Sequence, residues 1–352
     1  MKRILLFPLN QDTEVLLQNI NSSCEYKITA VSSYKEDAKK IAEYQKLTSV
    51  YCSINFEECL QRVDAVVFAE SVMGHEFYGY EERILKALEY NREIYINQSL
   101  LEKTKIDWKR KNIHVLQEHN LNKKNIEKKL LECSIPVLSV MGEGKNCNKF
   151  ALQAKIRAVL EMKGYTVLSI CSNYLGHFMG MEILPGFLFS NKVSLQTKIE
   201  QFNEWIYRLQ KQSDADIILL GCPGGILPIN DIEPNYYSEI PLAISNAVMI
   251  DEAILTVYEG IVYDEDSLEN LANLCQFKYN TIVENFIVAD NCFKTDYEAK
   301  KVNYYIYKNL SGGSNVPIAS NITRVTFIEN DNKVNQRVDD ILSRFEDNFF
   351  SI

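Results

Sequence analysis

Short apolar runs alternate with helix-period stretches along most of the chain, an order that favours a parallel sheet with crossover helices. Arg3–Leu9 reads as a strand, and Asp12 then caps a helix carrying Val15, Leu16 and Ile20. Tyr26–Val31 is a second strand, followed by helical stretches at Asp37–Tyr44 and Asn55–Arg62. Asp64–Ala69 (DAVVFA) has the unbroken apolar character of a strand buried on both faces. Tyr80–Tyr90 reads as a helix and Glu93–Ile96 as a strand. The β-α-β-α-β order predicts an open, Rossmann-like sheet. No G-x-G-x-x-G follows the first strand, where Pro8-Leu9-Asn10-Gln11-Asp12 stands instead, so no dinucleotide is expected there.

The stretch 103–129 is polar and rich in Lys and Asn, and it reads as a solvated connection. A second α/β series begins at Ile135. Strands are expected at Pro136–Val140, Tyr165–Cys171, Ala215–Leu220, Ala253–Tyr258 and Thr281–Val288. Helices are expected at Ala151–Lys163, Ser194–Gln210, Ser267–Phe277 and Val334–Glu346. The chain has 352 residues. At roughly 150 residues per domain, that length fits two domains, about 1–130 and 133–352. The predicted fold class is α/β with two open parallel-sheet domains.

Charge and composition exclude several classes. With 38 Lys and Arg against 47 Asp and Glu the net charge is −9, which lacks the basic field of a nucleic-acid or anionic-membrane binder. Hydrophobic residues make up 46% and charged residues 24%, a globular and not a disordered balance. No apolar run reaches the roughly 18–20 residues of a membrane span, and the start MKRILLFPLN lacks the long apolar region of a signal peptide. The 9 cysteines are an odd number, spread without a framework, which fits reduced thiols in a cytoplasm.

The segment Val137–Phe150 (VLSVMGEGKNCNKF) carries the strongest chemical signal. An apolar strand runs into a loop holding Gly142, Gly144, Lys145 and Lys149, and a helix follows. That arrangement builds a phosphate cradle from backbone N–H groups, a helix N-terminus and a lysine point charge. The plainer reading is a βα turn that only looks glycine-rich. Asn148 stands where a glycine is usual, and Asn tolerates the positive φ such a turn needs. Phe150 stands where Ser or Thr would hold Mg²⁺. A second apolar strand runs into Gly221-Cys222-Pro223-Gly224-Gly225 and ends without an acid. Gly224 and Gly225 would allow a ligand to approach the backbone, or would simply form a tight turn.

These two segments resemble dethiobiotin synthetase-like phosphate-loop NTPases, whose loop reads G-T-D-x-x-x-G-K-T and whose second strand ends V-E-G-x-G-G. The plan of a Rossmann-like domain joined to such a domain is similar to a bacterial family that includes a D-glutamate N-acetyltransferase. Across both halves, the MKRILLFP start, DAVVFAES, GEGKNCNKF and DIILLGCPGG resemble the peptide maturation system proteins of clostridial natural-product clusters. That resemblance implies a degenerate phosphate-loop NTPase-like second domain and a role in maturing a peptide natural product. It implies as partners a precursor peptide, a radical SAM enzyme and an acyl-carrier-related protein. The expected ligand is ATP or GTP, or another anion, at Gly142, Gly144, Lys145, Asn148, Lys149, Gly224 and Gly225. Losing the hydroxyl at Phe150 and the carboxylate at Gly221 removes the usual Mg²⁺ ligands, although Glu143 or Asp231 could replace them. A binding or accessory role follows. The alternative is an ATP-dependent ligase or acyltransferase acting on a peptide or small acid.

Cys147, Cys171 and Cys222 each follow a predicted parallel strand, and strand carboxyl ends form the ligand crevice of an open sheet. Three thiols with His177 nearby could hold a metal, or small cysteines could simply pack well there. The loop Asn173–Glu182 could shape a pocket, with His177 or Glu182 as acid or base, or be a surface loop with an apolar anchor. Ser311–Ser314 reads as a flexible turn. His75, His114 and His119 show no metal spacing.

Overall fold

The computed structural model describes residues 1–20, 25–70, 79–107, 109–117, 130–307 and 324–349. His75, His119, the Ser311–Ser314 turn and much of 103–129 lie outside them. The chain divides into two compact units: Met1–Asn120 with Tyr174–Gly186, and Leu121–Asn173 with Phe187–Ile352.

The first unit contains β1 (Lys2–Phe7), α1 (Gln11–Asn19), β2 (Tyr26–Ser32), α2 (Ala38–Leu47), β3 (Tyr51–Ser53) and α3 (Phe56–Leu60). These are followed by β4 (Ala65–Phe68), α4 (Tyr80–Glu89), β5 (Glu93–Asn97), α5 (Gln98–Leu101) and β6 (Ile113–Leu116). The sheet is parallel throughout, in the order β3-β2-β1-β4-β5-β6. That is the order of dinucleotide-binding open sheets. Its core gathers Leu5, Phe7, Phe68, Ile84 and Ile94. Helix α1 is capped by Asn10, whose side chain accepts from the Thr13 N–H while Thr13 Oγ1 accepts from the Asn10 N–H. Asp12 is therefore not the cap but a first-turn residue. Strand β6 lies inside the stretch read as a connection. Only Ile113 of its four residues is buried, so it gives no apolar run to detect.

The second series is β7 (Val137–Gly142), α6 (Lys149–Met162), β8 (Val167–Cys171), α7 (Leu195–Gln212), β10 (Ile217–Gly221), α8 (Glu239–Ala247), β11 (Glu252–Val257), α9 (Glu265–Tyr279) and β12 (Val283–Val288). A two-residue strand, β9 (Glu182–Ile183), lies in the segment assigned to the first unit. An antiparallel hairpin follows, β13 (Asn291–Asp296) with β14 (Lys301–Ile306), then β15 (Val325–Phe327) and α10 (Asp331–Phe349). The main sheet of the second unit runs parallel in the order β15-β12-β11-β7-β10-β8. Every residue of β7, β10 and β11 is buried, as central parallel strands require. Helices α6 and α10 pack Ile156, Leu160, Val338 and Ile341 onto one core. Both sheets match the expected α/β class. The hairpin was not anticipated: β13 is mostly polar, and β14 shows only a short alternation at Val302, Tyr304 and Ile306.

Candidate functional site

Strand β7 is central, with β10 on one side and β11 on the other, so the chain leaves it at a point where successive strands go to opposite sides. Open sheets bind ligands in that crevice. The loop 143–148 turns there and enters α6 at Lys149. Asn146 and Asn148 both take left-handed backbone, at φ +52° and +49°. Asn148 thus does the work of the missing glycine. It provides no side-chain cap, and its Oδ1 is buried without a hydrogen-bond partner.

Lys149 is 8% exposed and turned into the loop. Its Nζ donates to the Gly144 carbonyl at 2.5 Å and to the Gly224 carbonyl at 2.8 Å. The ammonium and the N-terminus of a fourteen-residue helix therefore share one place, where the peptide dipoles add a partial positive charge. This is a geometry for binding an anion.

The rest of the site braces the loop. Tyr258 Oη donates to the Lys145 carbonyl, and Asn291 Nδ2 donates to the Asn146 carbonyl at 2.7 Å. The Ile226 N–H bonds the Gly142 carbonyl at 2.9 Å. A Cβ on Gly225 would overlap the Glu143 carbonyl and the Gly144 Cα. Gly225 thus admits the loop's own backbone, not open space for a ligand. Gly224, at φ +73°, contributes its carbonyl to Lys149. Lys145 points elsewhere: its Nζ lies 2.8 Å from Glu233 Oε1 and 5.0 Å from the Tyr236 ring centre.

The residues do not fit a Mg²⁺ ion at the usual positions. Phe150 is buried apolar surface. At Gly221 a Cβ would overlap Gln153 Oε1, so a carboxylate has no room unless Gln153 moves. Glu143 is no substitute. Its carboxylate accepts from Tyr263 Oη at 2.5 Å, and burial raises its pKa against the opposing hydrogen bonds of Tyr263 and the Tyr258 N–H. Asp231 is exposed.

Cys147 and Cys222 are buried within the second unit, and burial pushes both thiols up to about 12 despite the nearby Lys149 charge. Cys171 ends β8 and is also buried. Among the described residues no group of three His, Cys, Asp or Glu side chains is placed to hold a metal ion. With their pKa raised by burial, Cys147 and Cys222 are poor nucleophiles at ordinary pH.

His177 and Glu182 belong to the first unit, whereas the loop 143–148 belongs to the second. His177 sits among Tyr26, Tyr95 and Phe178, with its Nε2 3.4 Å from Tyr26 Oη, and Glu182 is exposed. In the same segment Tyr174 reaches the carboxyl end of β4. Its Oη donates to the Phe68 carbonyl at 3.1 Å and accepts from the Glu70 N–H at 2.8 Å.

One functional candidate was not read from the sequence. Asn235, Tyr236, Tyr237 and Ser238 are four consecutive non-glycine residues with φ between +49° and +60°. Left-handed helical backbone costs roughly 1–2 kcal/mol per residue. The turn's ends are buried and tied: Asn235 Nδ2 donates to the Leu227 carbonyl at 2.6 Å and Ser238 Oγ to the Ile226 carbonyl at 2.9 Å. Its middle displays Tyr236 and Tyr237, 44% and 79% exposed, with Tyr236 beside Gly224. Nothing in Pro-Asn-Tyr-Tyr-Ser announces such a turn apart from Asn235.

The class defined so far is an α/β protein of two parallel sheets, with an incomplete phosphate-loop-like site in the second. No protein-family model matches the chain, and no curated protein matches it. Among solved structures it is similar to a DUF1611 family protein from Anabaena variabilis, at 11% identity and a TM-score of 0.56, over 82% of this chain and 88% of that one. At that identity the likeness shows the fold alone. It also aligns with a pseudomurein peptide ligase type C from Methanothermus fervidus (11% identity, TM-score 0.26, 82% of this chain and 44% of that one). A murein peptide ligase from Psychrobacter arcticus gives 12% identity and a TM-score of 0.28 over 88% of this chain and 59% of that one. The chain spans about half the length of these two ligases, and TM-scores so low carry no argument.

Proposed function

We propose that the second unit binds the phosphates of ATP or GTP, or another anionic ligand, at Gly142–Lys149, and that the protein is a binding or accessory component of a peptide natural-product maturation system. The observation that carries the binding reading is Lys149, turned into the loop at the first residue of α6 and held there by two carbonyls. An anion in the loop would give that ammonium a charge-assisted bond, stronger than its bonds to the carbonyls of Gly144 and Gly224. The maturation role rests on the resemblance of the GEGKNCNKF and DIILLGCPGG segments to clostridial maturation proteins. A precursor peptide, a radical SAM enzyme or an acyl-carrier-related protein is then the partner, in a cytoplasmic setting. Among the described residues no helix is long and apolar enough to cross a membrane.

The test is thermal unfolding with ATP or GTP, with and without Mg²⁺. Ligand at 100 times Kd adds about 2.7 kcal/mol to the folded state, and that gain should not depend on Mg²⁺. Lys149→Ala should weaken binding about 10- to 100-fold, the worth of a charge-assisted bond. Phe150→Thr should not create hydrolysis, because Gly221 still offers no acid. Mg²⁺-dependent turnover near 10 s⁻¹, a middling enzyme rate, lost in Lys149→Ala, would instead favour the ligase or acyltransferase alternative.

A further inference from the structure

The ion pair between Lys145 and Glu233 is not needed to brace the loop, which Tyr258 and Asn291 hold through the carbonyls of residues 145 and 146. Glu233 Oε1 nevertheless takes two donors, the Lys145 ammonium at 2.8 Å and the Asn235 N–H at 3.3 Å. Asn235 belongs to the left-handed turn, so its N–H direction is fixed by the buried bonds of that turn. The Tyr236 ring keeps the Lys145 ammonium in place. An ammonium, a fixed N–H and a ring that positions the ammonium are the donor set an external phosphate or carboxylate oxygen would use. Tyr236 also lies next to Gly224, whose carbonyl receives Lys149, so the two lysines serve adjoining places.

Building on the loop as an anion site, we propose that Glu233 is the internal occupant of a second anion subsite formed by Lys145 and the Asn235 N–H. A ligand carrying two or more separated anionic groups puts one at Lys149 and another at Lys145, displacing the Glu233 carboxylate to water. A ligand with a single anionic group uses Lys149 alone and leaves the pair intact. Lys145 and the Asn235 N–H therefore favour polyanions over monoanions, and Glu233 limits that preference by competing only with the second group of a spanning ligand. Glu233 takes no part in bond making.

The experiment is calorimetric titration of the whole chain with inorganic tripolyphosphate and with orthophosphate. Glu233→Gln keeps an acceptor for the Asn235 N–H but removes the competing charge. It should tighten tripolyphosphate binding about tenfold, the scale of one charge-assisted hydrogen bond, and leave orthophosphate unchanged. Adding Lys145→Ala should abolish the gain. Glu233→Asp, which keeps the charge on a shorter reach, should fall between wild type and Glu233→Gln. Tripolyphosphate affinity unchanged or weakened in Glu233→Gln, or a gain that survives Lys145→Ala, would overturn the subsite while Lys149→Ala still tests the loop. If Lys149→Ala binds both probes like wild type, the loop reading fails and the spanning ligand fails with it.

Discussion

At the carboxyl end of the first sheet, Tyr174 lies buried against β4, its hydroxyl satisfied by the Phe68 carbonyl and the Glu70 N–H. At the corresponding end of the second sheet, β7 gives way to a loop whose lysine donates to two backbone carbonyls. The first crevice end is filled by an aromatic side chain with complete hydrogen bonding. The second keeps a cation, a helix N-terminus and two buried amide oxygens, Asn148 Oδ1 and Asn235 Oδ1, without hydrogen-bond partners. Buried polar atoms without partners occur in both units, Ser32 Oγ at the end of β2 among them, so what sets the second site apart is a cation at a helix N-terminus with two such amide oxygens. Strand order alone does not locate a site.

That contrast can be broken. Tyr174→Ala should remove a buried aromatic and leave the Glu70 N–H without its acceptor, destabilising the first unit by about 3–5 kcal/mol. Denaturant unfolding followed by hydrogen exchange in β1 and β4 would read it. A loss below about 1 kcal/mol, the scale of a surface change, would show that Tyr174 does not close that end. Next in size is Gly225→Ala. The added methyl overlaps the Glu143 carbonyl and Asn235, and overpacking of this kind costs about 1–3 kcal/mol. It should lower both the melting temperature and ligand affinity, because the loop must shift. Unchanged affinity would separate the brace from the binding surface.

The smallest effect concerns pH. Burial lowers the pKa of His177 below its ordinary 6.5, outweighing the charges of Glu25 and Glu182. The unfolded chain then binds the proton first on acidification. The stability contribution is present above about 6.5 and is lost as pH falls through the lowered folded value. His177→Phe should flatten the melting-temperature difference between pH 7 and pH 5. A wild-type slope that persists in the variant would assign it to other groups.

Much of the second site's scaffold was legible in the sequence because its signals are local. The apolar run at Val137–Met141 requires a buried strand, and the helical period at Ile156, Val159 and Leu160 requires a helix. Asn148 stood in for glycine because Asn tolerates positive φ. Strand β6 and the hairpin β13–β14 were not legible, since their alternations, Ile113 with Val115 and Val302 with Tyr304 and Ile306, are short and set among polar residues. The left-handed turn at 235–238 was hidden for a different reason. Tyr at positive φ contradicts local preference, and only the buried anchors at Asn235 and Ser238 hold it there.

The sequence by itself determined the order of the apolar central strands and their crossover helices and the placement of Lys149 at the start of a helix. Both follow from periods of two and 3.6 residues and from the chemistry of adjacent positions. Tertiary structure decided where the charged and aromatic groups point. Glu143 is turned to Tyr263, 120 residues away, and Lys145 to Glu233, 88 residues away. Tyr174 joins the first unit although it follows a strand of the second. Such pairings depend on which loops each sheet brings together in space, and contacts between distant residues leave no spacing in the chain from which they can be read.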